Sequence, residues 1–515
     1  MSLAQALKLP TPLPVATASA SLPARPPAPG PDVPLVVDLD GTLLRTDLLF
    51  ECAADALRHR PGGFFRAVLG SGSRSALKAR LAQGHGVDLT RLPLRAEVVA
   101  RIKAERAAGR RIVLATASTA AMVKPLAEHL GLFDEVLASD ENRNLKGAAK
   151  AAELVARYGV RGFDYIGDSR ADLEVWQQAR SALLVGPGAR ALSSRAAGLC
   201  ENVEVLPPPP VSGKPEKGAF GLIRPRQWVK NLLVFLPLLA GHQLTHPGLL
   251  AQALLAFFCV SFAASATYVL NDLLDIDSDR RHATKCRRPL ASGAVSIPKG
   301  VAIGLACLAA SVALMFALPP AAAALVVTYL VTTTAYSTLL KRKLLVDVFA
   351  LALLYTLRVL IGSEATGLLS SPWLLGFSVF LFLSLAFAKR AAEVLNLDRQ
   401  GRVGTAGRDY YVWDKTALAA SGIASAFGAA MVLALYIQGA EVVKLYRQPS
   451  WLWIAVPLMT YWLTRVWLLT MRGAMDEDPV VFATTDRTTW KVIAALLVIG
   501  LVATWAPFGL PGARP

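Results

Sequence analysis

Two hydrophobic patterns divide the chain. Up to about Gly186, short apolar runs alternate with segments in which apolar positions recur every three or four residues. Leu35-Val36-Val37, Ile112-Val113-Leu114 and Tyr165-Ile166 read as buried strands, each followed by polar residues and then a helical pattern. That alternation predicts an α/β unit with a parallel sheet. Between Asp47 and Arg110 the pattern is helical only, as in a cap inserted into such a unit. From Gly221 the pattern becomes continuous. Apolar stretches run over 222–240, 249–270, 297–317, 321–337, 344–362, 372–388, 416–438, 451–469 and 490–507. Most approach the ~20 residues that span hydrocarbon. The expected fold class is therefore multidomain: an α/β Rossmann-like domain with a helical cap, then an all-α polytopic membrane domain of nine transmembrane helices.

Punctuation sets the boundaries. Residues 1–32 are rich in Ala, Pro, Ser and Thr, lack a continuous apolar core, and read as a disordered tail rather than a secretory signal. The α/β domain is placed at 33–200. The segment 201–220 holds Pro207-Pro208-Pro209-Pro210 and reads as a stiff linker. The membrane domain is placed at 221–512.

Composition changes the picture in one respect. Hydrophobic residues make up 54% of the 515, charged residues only 18%, and mean hydropathy is +0.44. A string of ordinary soluble domains is excluded. The net charge is +17, which for so apolar a chain suits anionic headgroups or phosphorylated substrates rather than nucleic acid. No stripe of interleaved basic and aromatic residues is present, so a nucleic-acid module is not expected. The five cysteines form no CxxC pair, which fits a reducing compartment. The loops after spans two, four, six and eight carry nearly all loop Lys and Arg, while Lys444 and Arg447 stand on the other side. This bias predicts a multi-pass protein of the inner (cytoplasmic) membrane with its N-terminal domain cytosolic.

Asp38-Leu39-Asp40-Gly41-Thr42 sets two carboxylates two residues apart just beyond a strand, so both face one pocket. One is suited to nucleophilic attack and metal ligation, the other to proton transfer. A bare turn or calcium-type loop is the competing reading, against which the buried strand counts. In order there follow Thr116 in Leu114-Ala115-Thr116-Ala117-Ser118, Lys146 in Asn144-Leu145-Lys146-Gly147, and Gly167-Asp168-Ser169-Arg170-Ala171-Asp172 after another strand. This segment resembles the haloacid dehalogenase superfamily over about 150 residues. The resemblance implies Asp38 as phosphoryl-accepting nucleophile, Asp40 as general acid/base, Thr116 (or Ser118) and Lys146 as phosphoryl-binding groups, and Asp168 with Asp38 and Asp172 around Mg²⁺. A degenerate regulatory domain is the alternative, but no motif position is lost.

The second constellation is Asn271-Asp272-Leu273-Leu274-Asp275-Ile276-Asp277-Ser278-Asp279, directly after an apolar span and followed by Arg287-Arg288-Pro289. Positions 272, 275 and 279 fall on one helix face. Three carboxylates there repel one another unless Mg²⁺ and a diphosphate relieve the repulsion. An ordinary charged loop does not account for the spacing. The string resembles the first signature of the UbiA-type intramembrane prenyltransferases. Where aromatic prenyltransferases of that superfamily carry a second Asp-rich motif, this chain reads Ala388-Lys389-Arg390-Ala391-Ala392-Glu393. That departure, with Arg224-Pro225-Arg226-Gln227-Trp228-Val229-Lys230-Asn231, Tyr336-Ser337, Lys341 and Arg358, resembles the decaprenyl-phosphate phosphoribosyltransferase branch. The resemblance implies a 5-phosphoribosyl 1-diphosphate donor and a polyprenyl phosphate acceptor. It implies Asn271, Asp272, Asp275 and Asp279 around Mg²⁺ and the leaving diphosphate, with Lys389 and Arg390 clamping a phosphate. Lys230, Asn231, Arg288, Tyr336, Lys341 and Glu393 are the remaining substrate-binding candidates. For Lys341 a positive-inside anchor, and for Tyr336 an interfacial belt residue, are the competing readings.

The expectation is a bifunctional membrane enzyme. One domain transfers phosphoribose to a polyisoprenoid lipid within the bilayer, and the other is a phosphatase that removes the 5-phosphate of the product. The rivals are an aromatic prenyltransferase and a transporter or scaffold with a regulatory domain. A homo-oligomer is compatible with the sequence.

Overall fold

The computed structural model describes residues 33–70, 77, 80–81, 87–140, 143–208, 218–368, 371–404, 408–475 and 479–507. The expected tail at 1–32 lies outside them, as does 209–217 of the expected linker.

Six strands form one parallel sheet: β1 Leu35–Val37, β2 Ile112–Thr119, β3 Glu135–Ser139, β4 Asp164–Gly167, β5 Ser181–Leu184 and β6 Asn202–Val205, in the order β3-β2-β1-β4-β5-β6. β1 lies at the centre, with Val37 paired to both Leu114 and Ile166. β1, β2 and β4 therefore end together, where the strand order reverses and α/β sheets hold their ligands. Helices α1 Leu48–His59, α2 Pro61–Gly70, α3 Ala96–Ala107, α4 Ala120–Leu130, α5 Ala148–Tyr158, α6 Leu173–Trp176 and α7 Ala189–Ala196 surround it. Alternate residues of β1 enter different cores: Leu35 and Val37 on one face, Val36 on the other. This burial on both faces is why the strands read as continuous apolar runs. α1 and α2 make the cap and share a small cluster of Leu49, Ala67 and Leu81.

The boundary at residue 200 needs correction. β6 runs parallel to β5 with Leu183 opposite Glu204, and Leu206 joins the core. β6 alternates exposed and half-buried residues as an edge strand, so it lacks the apolar run that marks the central strands.

Beyond the soluble domain, eight described helices are long and apolar enough to cross a membrane. They contain α8 Pro247–Leu274, α10 Ile297–Met315, α11 Pro320–Thr338, α12 Val346–Thr366, α13 Pro372–Arg399, α14 Lys415–Ile437, α15 Ala455–Met471 and α16 Arg487–Trp505, with 3₁₀ turns lengthening the spans of α14 and α15 to Val412–Ile437 and Pro449–Met471; the short α9, Ile276–Arg281, follows α8. The first expected stretch is broken instead into Gly218–Ile223, a 3₁₀ segment Pro225–Phe235 and Leu236–Ala240. Pro225 and Pro237 each remove a backbone donor. Lys230 and Asn231 turn inward from this segment and are buried.

Candidate functional sites

The two carboxylates of the first motif share one mouth because the chain stays extended through both. Asp38 sits at φ −77°, ψ 156° and Asp40 at φ −75°, ψ 120°, before Gly41 turns the chain at φ +80°. A Cβ on Gly41 would lie 2.4 Å from Asp168 Oδ2, so close approach and positive φ both require glycine there. Asp38 is buried, and Lys150 Nζ donates to its Oδ1 at 2.6 Å. Thr42 Oγ1 lies 3.3 Å from Asp38 Oδ2 and 3.2 Å from Asp168 Oδ1. Asp172 accepts from the Asp168 and Ser169 amides, the Ser169 hydroxyl and the Tyr165 hydroxyl, so its carboxylate is fixed. Asp40 accepts from the Leu48 amide at 2.9 Å and the Ser118 hydroxyl at 2.6 Å. Thr116 is fully buried in β2 and its hydroxyl accepts from the Ser118 amide at 3.0 Å.

Oxygens of Asp38, Asp168 and Asp172 lie within 4.8 Å of one another, the one such acidic group of three among the described residues. Burial pushes the Asp38 carboxyl up to about 7, against the pull of Lys150 and with added repulsion from Asp172. Burial and Asp172 push Asp168 up to about 6. Like charges packed in a dry pocket resist ionising. A divalent cation would remove that resistance, and the all-oxygen donor set suits Mg²⁺.

Lys146 is not brought to this site. Its side chain is exposed in the loop before α5, and the ammonium on the nucleophile belongs to Lys150, four residues later in the first turn of α5. Sequence reasoning missed it. The available signal was a lysine on the buried face of α5, beside Ala151 and Leu154.

In the membrane domain, the face expected at 272, 275 and 279 is interrupted. α8 ends at Leu274, Asp275 leaves helical geometry at φ −100°, ψ 11°, and α9 begins at Ile276. Arg288 reunites two of the three carboxylates, with Nη1 3.1 Å from Asp272 Oδ1 and 2.6 Å from Asp279 Oδ2. Arg224 also pairs with Asp272, while Asp275 turns to Lys341 at 3.1 Å. Burial raises the Asp279 carboxyl above its ordinary value, with Arg288 opposing. Asp272 Oδ2 and Asn271 Oδ1 are buried without a hydrogen-bond partner. Two orphaned oxygens from adjacent residues are costly unless something positive meets them, so these residues too fit a divalent cation.

The other candidates separate into two groups. Asn231 is committed internally, donating to Ser261 and accepting from Arg358, whose guanidinium also reaches the Tyr329 hydroxyl. Arg390 is fully buried, 3.0 Å from Asp347 and paired with Glu393, which Arg408 also meets. Its charge is answered inside the protein, so it is not presented as a clamp. Lys389 lines a small cavity with Leu351, Tyr355, Leu385, Ala386, Pro479 and Val480. Lys230 reaches the same Tyr355 ring, 5.9 Å from its centroid. Tyr336, on α11, is half-buried against the core that α11 shares with α8 and α12.

Comparison with known proteins matches residues 233–485 to the UbiA prenyltransferase family and residues 35–177 to haloacid dehalogenase-like hydrolases. An uncharacterised protein, y4nM, of Sinorhizobium fredii is 37% identical over 473 residues, covering 91% of this chain and 90% of that one. The nodulation protein NoeC of Azorhizobium caulinodans is 32% identical over 282 residues, 54% of this chain and 90% of its own. The decaprenyl-phosphate phosphoribosyltransferase of Mycobacterium tuberculosis is 35% identical over 188 residues, 36% of this chain and 62% of its own, so less than two thirds of that enzyme is spanned.

Proposed function

Since the chain belongs to the UbiA prenyltransferase family and carries a haloacid dehalogenase-like hydrolase domain ahead of it, we propose a two-site membrane enzyme. The membrane domain transfers phosphoribose from 5-phosphoribosyl 1-diphosphate to a polyprenyl phosphate. The soluble domain then hydrolyses the 5-phosphate. The charge asymmetry of the loops supports an inner-membrane setting with the soluble domain cytosolic.

The observation that carries the choice of donor is the region after the sixth apolar stretch. A prenyl diphosphate needs two acidic metal clusters for its diphosphate. Here Lys389 stands in a cavity wall and Arg390 is locked to Asp347 and Glu393, where a second cluster would have to form. A donor with an additional phosphate elsewhere has a use for Lys389 and Lys230. In the transfer step a phosphate oxygen of the lipid attacks ribose C1. The C1–O bond to diphosphate breaks, and diphosphate leaves with the electron pair. Asn271 and Asp272 would hold a Mg²⁺ ion, which would supply positive charge to offset the charge of the departing diphosphate. Arg224 and Arg288 hold Asp272 in place.

In the soluble site, Asp38 attacks the phosphorus in line. Asp40, oriented by Ser118 and the Leu48 amide, protonates the departing oxygen and later takes a proton from water. Lys150 offsets charge on the transferring group; Asp168 with Asp38 would hold Mg²⁺, and Asp172 fixes the pocket.

The test is incubation of the purified protein in lipid with radiolabelled 5-phosphoribosyl 1-diphosphate and a polyprenyl phosphate, beside a prenyl diphosphate with 4-hydroxybenzoate. Labelled lipid from the first pair, with release of inorganic phosphate, is expected. Product from the second pair alone overturns the reading in favour of aromatic prenyl transfer.

A further inference from the structure

Among the described residues, two ion pairs join the domains: Arg281 with Asp88 at the surface, at 3.3 Å, and a buried one. Glu51 of α1 is 2% exposed. Its carboxylate receives both terminal nitrogens of Arg280, at 2.7 and 3.0 Å. Arg280 belongs to α9, the helix that carries Asp279. The apolar surface around the pair is continuous across the interface: Ala54 of α1 packs in one cluster with Leu222, Val269, Leu273, Ile276, Leu290, Val295 and Ile297.

From this pair, contacts run unbroken in both directions. Toward the membrane motif, Arg280 Nε donates to the Ala291 carbonyl at 3.0 Å. That contact pins the loop whose start is Arg288, and Arg288 is the group that draws Asp272 and Asp279 together. Toward the soluble site, the Thr46 hydroxyl donates to Glu51 at 2.6 Å. The Thr46 carbonyl accepts the Gly41 amide at 3.1 Å, in the turn that follows Asp40. Asp40 itself accepts from Leu48, the first residue of α1. The loop is also packed closely from the soluble side, since a Cβ on Gly293 would lie 2.6 Å from Arg45 Cβ.

We propose that Glu51 is a positioning residue for both sites: through Arg280 and the loop to Arg288 it holds the membrane motif in its metal-binding shape, and through Thr46 it holds the turn after Asp40. This rests on the two-site reading above. A buried carboxylate shared in this way makes the sites energetically linked, and linkage of binding is reciprocal. The soluble domain then supports the transferase structurally as well as acting on its product.

The test uses the full chain in lipid nanodiscs with Mn²⁺ as probe, read by electron paramagnetic resonance. An Asp168→Asn background removes a metal-holding carboxylate from the soluble site, so that remaining bound Mn²⁺ reports the membrane motif. Adding Glu51→Gln keeps the side-chain shape and removes the charge. Its Mn²⁺ half-saturation is expected to rise three- to tenfold; a value within twofold of the background overturns the proposal. With Asp168 intact, Glu51→Gln is expected to lower kcat for a small phosphate ester at least threefold. A wild-type rate removes the link to the soluble site and overturns the shared role. Should Glu51→Gln fail to fold, Arg280→Lys, which keeps the charge but loses the fork, is carried through the same measurements with the same expectations. Asp272→Asn in the Asp168→Asn background is the control for the underlying reading. If it leaves Mn²⁺ binding unchanged, the metal assignment at the membrane motif is wrong and the inference falls with it. That outcome is distinct from an unchanged Glu51→Gln.

Discussion

At the scale of single residues, neighbours with like chemistry have different fates. Lys146 and Lys150 lie four residues apart, one in the loop before α5 and one within it, yet only Lys150 reaches Asp38. Replacing Lys150 with alanine should cost ~10²–10³ in kcat for phosphate-ester hydrolysis, the range for losing a charge-stabilising group in a closed site. Lys146→Ala should stay close to wild type, and steady-state assay of the two variants with p-nitrophenyl phosphate checks the pair. Lys389 and Arg390 divide in the same way. Lys389→Ala removes a charge-assisted contact of roughly 1.5–3 kcal/mol, which is about a tenfold to hundredfold loss in kcat/KM for the phosphoribosyl donor, with folding intact. Arg390→Ala leaves the buried Asp347 with the Tyr410 hydroxyl but without its countercharge, and breaking such a pair costs ~3–5 kcal/mol. It should appear as a lowered Tm in detergent rather than as a selective kinetic defect. Equal Tm values for the two variants would contradict the division.

At the scale of elements, what matters is how closely backbones approach. Gly362 of α12 lies against the broken Pro225–Phe235 segment: a Cβ there would sit 2.0 Å from the Val234 carbonyl oxygen. Backbone cannot move aside as a side chain can, and small residues at helix crossings are what allow such contact in membranes. Gly362→Ala should therefore lower the melting temperature of the membrane domain and displace Lys230 and Asn231, with transfer falling in parallel. Thermal unfolding in nanodiscs with labelled-donor assays checks this. In the soluble domain, β4 is fastened by Asp164. Burial pushes its carboxyl up, but hydrogen bonds and charge from Arg180 and Arg110 outweigh burial and hold it below the ordinary range. Its folded pKa is thus below its unfolded value, so its stabilisation is full above the unfolded pKa of about 3.9 and fades as pH falls through the folded one. Hydrogen exchange in β4 should show the wild-type advantage over Asp164→Asn at pH 6 shrinking steadily below pH 4. An advantage that grew on acidification would reverse the sign and refute the argument.

At the scale of the whole molecule, the two sites are complete in their own residues and joined through Glu51 and Arg280. Asp38→Asn should abolish phosphate-ester hydrolysis and spare transfer, because Asp38 takes no part in the interface; thin-layer separation of labelled lipid products from the variant should show phosphorylated product accumulating. The order of domains, the parallel sheet, the membrane character of the second half and the two acidic motifs are legible in the residues alone. These depend on local spacing: alternation of apolar runs, carboxylates at i and i+2, apolar stretches of membrane length. Packing settles which lysine meets Asp38, that the stretch at 222–240 breaks, that an edge strand extends the sheet beyond residue 200, and that the motif at 271–279 bends at Asp275 and is regathered by Arg288. Each of these depends on a partner distant in the chain. Lys150 is chosen by the packing of α5 on the sheet, β6 by an open edge at β5, and the acidic motif by an arginine that a loop must bring back. Spacing along a sequence records which residues share a face, whereas what that face meets is fixed by the elements folded against it.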